Sequence, residues 1–295
     1  MFKIKFNCNW TSDKDINRRV KSNFITEENY NSNIIITDGD DYDFLFVFNR
    51  LTTQPTVTKE KIYTFIMEPS WSPNWDRNCF NYSNKVFVHD KNLFGNHENI
   101  IESPSFMFYH MNSEINNIGK LLNNNLYEHK KKISMVVSYT PGGGYNYELR
   151  TKLALKILEH NLDIDIYGNG WSLNHKNIKG TVGDKYDALV NYQYSIGIEN
   201  SCEKNYITEK FFDIPLCNSY PIYYGAPNIS DIYKNHIPIN PNNIEETLDI
   251  LSDIIRNDNY DIDKIIENKK LYFTKYNLYN KVKEIVLLNV NYPVI

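Results

Sequence analysis

Residues 194–227 constrain the fold of this chain most, because they predict a strand, a polar loop, a helix start and a second strand in that order. Ser195–Ile198 is short and apolar enough for a buried strand, which the polar run Glu199–Asn205 ends. Thr208 stands at the position of a helix N-cap. A helix that begins after such a loop in an α/β sheet directs free N–H groups and its dipole at an anionic ligand. The stretch therefore predicts an α/β fold with an anion site, to which Lys210 adds a positive charge.

This stretch resembles the donor-binding signature of glycosyltransferase family 10, the α-1,3/1,4-fucosyltransferases. The family has a Phe/Ile-Glu-Asn-Ser/Thr segment, then Tyr-Ile/Val-Thr-Glu-Lys, then an apolar strand that ends in Gly. The corresponding parts here follow in the right order and spacing: Ile198–Ser201, Tyr206–Lys210 and Pro221–Gly225. Two further stretches fit: Met135–Ser138, a strand before a helix whose first turn carries Arg150, and Phe65–Ser70, which is similar to the family's strand-end Glu-Ser-Pro motif.

The resemblance implies a set of site residues. Glu68 would be the catalytic base, with Asp76 and Glu102 as alternatives if the alignment is shifted. Arg150 and Lys210 would contact the diphosphate, since positioned cations can stabilise a leaving nucleoside diphosphate.

The chemistry of further residues adds candidates for donor or nucleotide contacts. Asn200 and Glu209 carry groups suited to ribose or donor-sugar hydroxyls, and Tyr206 could bond or stack near the nucleotide. Ser138 ends the strand before Arg150, and Gly143 lies in a glycine run whose backbone N–H groups could approach phosphate or which could mark a mobile loop. Trp71 and Trp75, near Glu68 in the sequence, would be sugar-stacking surfaces for an acceptor.

Two residues of the signature stay open at this point. Glu199 could contact the ligand or could be a buried carboxylate that holds the loop. Helix capping alone explains Thr208.

The pattern of strands predicts two consecutive α/β sheets. The strands expected in the first half are Lys3–Phe6, Ile34–Thr37, Phe44–Phe48, Ile62–Met67 and Lys85–His89. Those in the second half are Ser134–Val137, Asp163–Tyr167, Ser195–Ile198, Pro221–Tyr224 and Ile237–Ile239, with helices at Leu149–Glu159, Lys185–Asn191, Ile207–Leu216 and Ile244–Arg256. The polar stretch Asn116–Lys132 suits a linker.

The resemblance implies a GT-B-like fold, in which two facing Rossmann-type domains enclose a cleft. We expect an acceptor-binding domain over residues 1–125 and a nucleotide-sugar-binding domain over residues 126–275. Residues 276–295 have apolar residues at helical spacing, and we expect this helix to pack back on the first domain.

Composition excludes several other classes of protein. The net charge is −4 and no long basic tract occurs, which argues against nucleic-acid binding. The cysteines and histidines lack metal-ligand spacing, and no paired Asp-x-Asp motif appears, so we expect no cofactor and no required divalent metal. No stretch approaches the roughly 20 apolar residues of a membrane span, and the N-terminus lacks a signal-peptide core. We expect a stemless, cytoplasmic form of the family.

The resulting hypothesis is an inverting transferase that moves fucose from GDP-fucose to an acceptor glycan, giving an α-fucoside. Its substrates would be a nucleotide sugar and a glycan, and the oligomeric state is open. Two alternatives remain: the same fold with another GDP- or UDP-sugar donor, and a catalytically silent nucleotide-sugar-binding module.

Overall fold

Two parallel β-sheets of six strands each form the framework of the chain. The computed structural model describes residues 1–23, 34–106, 109–112, 115, 118–123, 131–144, 146–257 and 259–291. The first sheet contains β1 (Phe2–Cys8), β2 (Ile34–Ile36), β3 (Phe44–Phe48), β4 (Ile62–Phe65), β5 (Lys85–Val88) and β6 (Ile100–Glu102). The second contains β7 (Lys131–Val136), β8 (Ile164–Tyr167), β9 (Ile178–Gly180), β10 (Tyr192–Ile198), β11 (Tyr220–Tyr224) and β12 (Ile237–Pro238). The predicted pair of α/β sheets is confirmed.

Helices connect and cover the strands. Those of the first half are α1 (Asp13–Asn23), α2 (Cys79–Tyr82) and α3 (Ile118–Asn123). Those of the second half are α4 (Asn146–Glu159), α5 (Glu209–Leu216), α6 (Ile229–Ile232), α7 (Ile244–Arg256) and α8 (Ile262–Leu271), and a π-helical turn at Tyr272–Tyr276 leads into α9 (Leu278–Asn291). No helix among the described residues is long and apolar enough to cross a membrane.

In each sheet the order of the strands reverses direction at one place, which is called the switch point. In the first sheet the order is β2-β1-β3-β4-β5-β6, so the chain changes direction between β1 and β3. In the second sheet the order is β12-β11-β10-β7-β8-β9, and the change falls between β7 and β10. Open α/β sheets bind ligands beyond the carboxyl ends of the strands at such points. The segments after β1, β3, β7 and β10 are therefore where a site is expected.

The strands are apolar throughout because both faces of each sheet are covered. In β3 every residue of Phe44–Phe48 is buried. Phenylalanines from neighbouring strands stack across the first sheet, with ring centroids 5.5 Å apart for Phe6 and Phe46 and 4.7 Å apart for Phe65 and Phe87. In the second half the core between the sheet and α4 and α7 is mainly aliphatic.

The last described helix, α9, packs on the first half. Its residues Val282 and Val286 lie in the same buried cluster as Phe87 and Phe106. The Nζ atom of Lys281 lies 5.2 Å from the ring centroid of Phe106. The proposed boundary between residues 125 and 126, and most of the predicted linker Asn116–Lys132, fall outside the described residues, so the domain limits stay a prediction.

Sequence reasoning missed some elements and misjudged the bounds of others. It did not predict α1, α8 or the three-residue edge strands β6 and β9. The helix predicted at Lys185–Asn191 is a short 3₁₀ turn over Lys185–Ala188. The helix predicted from Ile207 begins at Glu209 because Thr208 is extended and caps it: its side chain accepts a hydrogen bond from the N–H of Lys210.

Candidate active site

A cavity of about 270 Å³ lies where the switch points of the two sheets face each other. Its first-half lining is Trp10, Arg19, Asn49, Met67, Glu68 and His110, and its second-half lining is Asn200, Tyr206, Thr208, Glu209 and Lys210. Of the site residues predicted from sequence, the structure brings together Glu68, Asn200, Tyr206, Glu209 and Lys210. They come from both halves of the chain, as a donor and an acceptor site in one cleft would require.

Glu199 is the buried anchor of the loop that follows β10. Its side chain is 0% exposed, and its carboxylate accepts hydrogen bonds from the N–H of Thr208 at 2.7 Å and from Thr208 Oγ1 at 2.6 Å. Burial raises the pKa of this carboxyl. Of the two alternatives left open for Glu199, the structure supports the carboxylate that holds the loop. These bonds fix the start of α5 and therefore the positions of the residues next to Thr208.

Glu209, which is buried, and Lys210, which is half-buried, form an ion pair at the start of α5. Lys210 Nζ lies 2.8 Å from Glu209 Oε1, and His110 Nδ1 lies 3.7 Å from the same oxygen. Burial acts to raise the pKa of Glu209, but the electrostatic effect of Lys210, with smaller contributions from His110 and Lys185, outweighs it and holds that pKa well below its usual range. Burial likewise acts to lower the pKa of Lys210, and Glu209 and Glu199 reverse this and raise it. Both side chains are therefore charged in the cavity wall.

Arg150 lies on α4 and is not part of the cavity lining, but its charge acts on the same residues. Its guanidinium Cζ lies 4.5 Å from the ring centroid of Tyr147, and it forms no ion pair with any described residue. Its Nε is buried without a hydrogen-bond partner among the described atoms. Burial lowers the pKa of Arg150, against the attraction of Tyr147, Glu199 and Glu209. A buried donor without a partner is one that a ligand can satisfy.

Asn200 and Tyr206 flank the loop that crosses toward the first half. The Oδ1 atom of Asn200 is buried and has no partner among the described residues, which leaves an acceptor at the cavity. The ring of Tyr206 packs edge-on against His89, with centroids 5.1 Å apart, and burial raises the pKa of its hydroxyl well above the usual value. Tyr206 is therefore a neutral side chain.

Glu68 is the one of the three candidate bases that lines the cavity. Its Oε2 accepts a hydrogen bond from Ser72 Oγ at 3.1 Å, and burial raises its pKa. Asp76 instead accepts a bond from the N–H of Asn78 at 2.9 Å. Glu102 forms an ion pair of 2.6 Å with Lys204, which is the main reason that its pKa is lowered. A raised pKa suits a group that must exchange a proton.

Ser138 and Gly143 follow β7 but do not line the cavity. Ser138 is exposed, and its carbonyl accepts a bond from Thr140 Oγ1 at 3.5 Å. The N–H of Gly143 donates to the carbonyl of Thr140 at 3.3 Å. A Cβ atom at Gly143 would lie 2.9 Å from Tyr147 Cβ, so close packing explains this glycine without a ligand.

The two predicted stacking tryptophans differ. Trp71 is half-buried, and its Nε1 donates to Ser201 Oγ at 3.4 Å. Trp75 is only 4% exposed, and its ring packs against Phe94 with centroids 5.0 Å apart. The guanidinium of Arg77 covers it at 3.5 Å. Trp75 is a core residue with no free face for a sugar, so the structure contradicts that prediction.

Trp10, Arg19, Asn49 and His110 line the cavity but were not predicted as site residues. A signal existed for two of them, since Asn49 comes directly after β3 and Trp10 lies two residues after β1, both at the switch point of the first sheet. Trp10 is 44% exposed and stacks on Phe48. No local pattern identifies Arg19 or His110, because tertiary packing alone brings them to the cavity.

A larger cavity of about 590 Å³ lies elsewhere in the second half, near the amino ends of β10 and β11, where Tyr194 and Tyr220 line it. Ligands of open α/β sheets bind at the opposite, carboxyl ends. Among the described residues no group of three or more His, Cys, Asp and Glu side chains could hold a metal ion.

Residues 127–258 match the family described as glycosyltransferase family 10 (fucosyltransferase), C-terminal part. A fucosyltransferase-like protein of Arabidopsis thaliana is 39% identical over 89 residues, which are 30% of this chain and 16% of that protein. The α-(1,3)-fucosyltransferase FucT of Helicobacter pylori is 26% identical over 98 residues, or 31% of this chain and 20% of that protein. The chain thus spans a fifth or less of the length of these relatives.

A crystal structure of an α1,3-fucosyltransferase with GDP-fucose superposes on the whole chain. The TM-score is 0.59 with 18% sequence identity, over 100% of this chain and 91% of the other. At this identity the likeness shows the fold, which is the predicted GT-B arrangement.

Proposed function

Because residues 127–258 match glycosyltransferase family 10, we propose that this chain is an inverting transferase that moves fucose from GDP-fucose to a hydroxyl of an acceptor glycan. One observation carries the proposal: Glu68 of the first half lines the same cavity as Glu209 and Lys210 of the second half. A carboxylate with a raised pKa therefore faces a fixed pair of charges across a cleft.

The reaction needs one proton acceptor and a stabilised leaving group. Glu68 takes the proton of the acceptor hydroxyl while that oxygen attacks the anomeric carbon of fucose. The bond from the anomeric carbon to the diphosphate oxygen breaks, and its electron pair leaves with GDP. In-line attack on a β-linked donor inverts the anomeric centre and gives an α-fucoside.

The cations of the second half have different roles in this proposal. Arg150 has no ion pair with any described residue and a buried Nε without a partner there, so it is the main candidate for the diphosphate. Lys210 is already paired with Glu209 and adds a second, shared positive charge. The free Oδ1 of Asn200 and the carboxylate of Glu209 can accept bonds from ribose or fucose hydroxyls.

The acceptor side of the cavity has fewer candidate contact residues. Trp10, exposed on the rim, offers an aromatic face to sugar C–H groups, and Arg19 and Trp71 lie on the same half. None of these contacts identifies fucose over another sugar, so the donor must be tested directly.

The test is a panel of nucleotide sugars with wild-type protein. Calorimetric titration with GDP, UDP and GDP-fucose, followed by hydrolysis and transfer assays with a glycan library, should give GDP-specific binding and fucose-dependent turnover. Turnover with a different GDP- or UDP-sugar alone would replace the donor. Tight GDP binding without turnover of any donor would indicate a binding module and overturn the proposed activity.

A further inference from the structure

The loop Ser201–Asn205 of the second half, here named the crossing loop, reaches the first half and contacts it through buried and partly buried hydrogen bonds. The carboxylate of Glu203 accepts hydrogen bonds from the N–H of Ser70 at 3.0 Å and from Ser70 Oγ at 3.1 Å. The Nε2 of His89 also bonds to this carboxylate. Asn205 Nδ2 donates to the carbonyl of His89 at 2.8 Å.

Glu203 is a buried anion at this junction. Its side chain is 11% exposed, against 0% for His89. Burial acts to raise the pKa of Glu203, but the bonds from His89, Ser70 and Ser201 outweigh it and lower the pKa. Such a carboxylate holds its donors firmly, because leaving them unpaired in the interior is costly.

The residue that Glu203 holds lies two positions after the proposed base. Glu68 is followed by the buried Pro69 and then by Ser70. On the other side of Glu68, the N–H of Met67 donates to Asn49 Oδ1 at 2.7 Å.

The first half also holds the turn after Glu68 through its carbonyls: Pro69 accepts from the N–H of Ser72, and Ser70 accepts from Trp75 Nε1 and Arg77 Nη2. The N–H and Oγ of Ser70, in contrast, donate to Glu203, which is the contact that ties this turn to the second half.

The crossing loop also lies between donor-side residues. Asn200 comes directly before it and Tyr206 directly after it, and both line the cavity. The same short segment thus borders the donor side and holds the turn that carries Glu68.

The geometry points to Glu203 as a positioning residue, which sets the place of Glu68 relative to the donor and touches neither substrate itself. This inference rests on the proposed transferase function. In this role the crossing loop aligns the base with the donor across the cleft. A displacement of about 1 Å in such an alignment can lower the rate on the order of 100-fold.

A neighbouring contact provides the matched control. Lys204, the next residue, also crosses between the halves, with its Nζ 2.6 Å from Glu102 Oε1. Lys204 is 48% exposed, and Glu102 does not line the cavity. An exposed ion pair of this kind contributes little to stability. Lys204→Ala therefore removes an interdomain contact without touching the turn that carries Glu68.

The kinetic test compares Glu203→Ala, Glu203→Gln and Lys204→Ala. We expect Glu203→Ala to lower kcat for transfer about 10- to 100-fold with the Kd for GDP unchanged. Glu203→Gln should recover most of this loss, since its amide oxygen can still accept from Ser70 N–H and His89 while the serine hydroxyls rotate. Lys204→Ala should keep wild-type kcat. A kcat for Glu203→Ala equal to that of Lys204→Ala, or a joint loss of GDP binding and kcat, overturns the inference.

Hydrogen exchange provides a readout that does not depend on turnover. The amide of Ser70 donates to Glu203, so Glu203→Ala should speed exchange in a peptide covering residues 66–72, while Lys204→Ala should not. If wild-type protein transfers no sugar but this exchange increases, the proposed function fails and the holding contact stands. Unchanged exchange in Glu203→Ala overturns the positioning role even if the wild type is active. If Glu203→Ala does not fold, Ser70→Ala replaces it, because this variant removes only the bond from Ser70 Oγ. We expect Ser70→Ala to lower kcat by a smaller factor with the Kd for GDP unchanged. An unchanged kcat in Ser70→Ala overturns the inference.

Discussion

The two halves of the molecule share a strand arrangement but present different chemistry to the cavity. In the second half the side chains of Glu199, Glu209 and Lys210 are held in place by hydrogen bonds and an ion pair. In the first half Glu68 has a hydrogen bond to Ser72, and Arg19 on the rim is exposed. Under the proposed function, the held charges of the second half would bind the anionic donor, and the less constrained first half would bind the acceptor.

This contrast separates the expected effects of mutation. Changes to the first-half residues should alter turnover and leave nucleotide binding intact. Changes to Arg150, Glu199 and Lys210 of the second half should alter nucleotide binding, stability or both, whereas changes to Glu203, which holds the turn after Glu68, should alter turnover.

The largest expected effect is on turnover from the first half. Glu68→Gln keeps the size of the side chain but cannot take the acceptor's proton, so transfer should fall about 10² to 10⁴-fold. Initial rates of transfer and the Kd for GDP should be measured on the same folded protein, and the Kd should not change. Near-normal transfer would shift the role of base to Asp76 or Glu102, and a joint loss of transfer and GDP binding would indicate a structural role for Glu68.

The pH dependence of transfer tests the same residue. Burial raises the pKa of Glu68, and the base must be deprotonated. The kcat/KM for transfer should therefore rise with pH through a midpoint above the ordinary glutamate value of about 4.3. A profile that is already flat at the ordinary value would contradict the assignment.

In the second half, the largest expected effect is on stability. Glu199→Ala leaves the N–H and Oγ1 of Thr208 without their buried acceptor, which should lower the free energy of unfolding measured in urea by about 1.5 to 3 kcal/mol.

The pH dependence of stability tests the same residue. Because burial raises the folded pKa of Glu199 above its unfolded value, protonation favours the folded state. Its contribution to stability should be present below about pH 4.3 and should be lost as pH rises through the folded pKa. Glu199→Gln should lack this slope, and an identical slope would refute the argument.

Measurements of GDP affinity and of Tm should distinguish the roles of Arg150 and Lys210. Arg150→Ala removes a charge-assisted bond, so GDP affinity should fall on the order of 10- to 100-fold by calorimetry with little change in Tm. Lys210→Ala should lower both GDP affinity and Tm, since it leaves Glu209 buried without its main partner. Unchanged GDP affinity in both variants would show that the diphosphate binds elsewhere.

The smallest expected effect is that of chelation. If Arg150 and Lys210 neutralise the leaving diphosphate, treatment with EDTA should change the transfer rate by no more than about twofold. Complete loss of activity that is restored by Mg²⁺ or Mn²⁺ would contradict this division of roles.

Sequence reasoning succeeded for elements that lie in one local pattern. The strand β10, its polar loop and the capped helix α5 are contiguous and were predicted together. Asn200, Tyr206, Glu209 and Lys210 line one cavity, and their donor-binding roles stay a prediction. Sequence reasoning failed for β6 and β9, which are three residues long and stabilised by a neighbouring strand at the sheet edge. Trp75 was misjudged because an aromatic residue near a motif has the same sequence signal whether it is buried or exposed. Arg19 and His110 reach the cavity through tertiary packing, which no periodic pattern of residues in the sequence predicts.

The return of α9 to the first sheet has a consequence for biosynthesis. On the ribosome the first half emerges well before Val282 and Val286, which share a buried cluster with Phe87 and Phe106. Until translation reaches α9, this part of the nascent first half lacks its cover, so the first half can complete its packing only after the helix near the end of the chain has been synthesised.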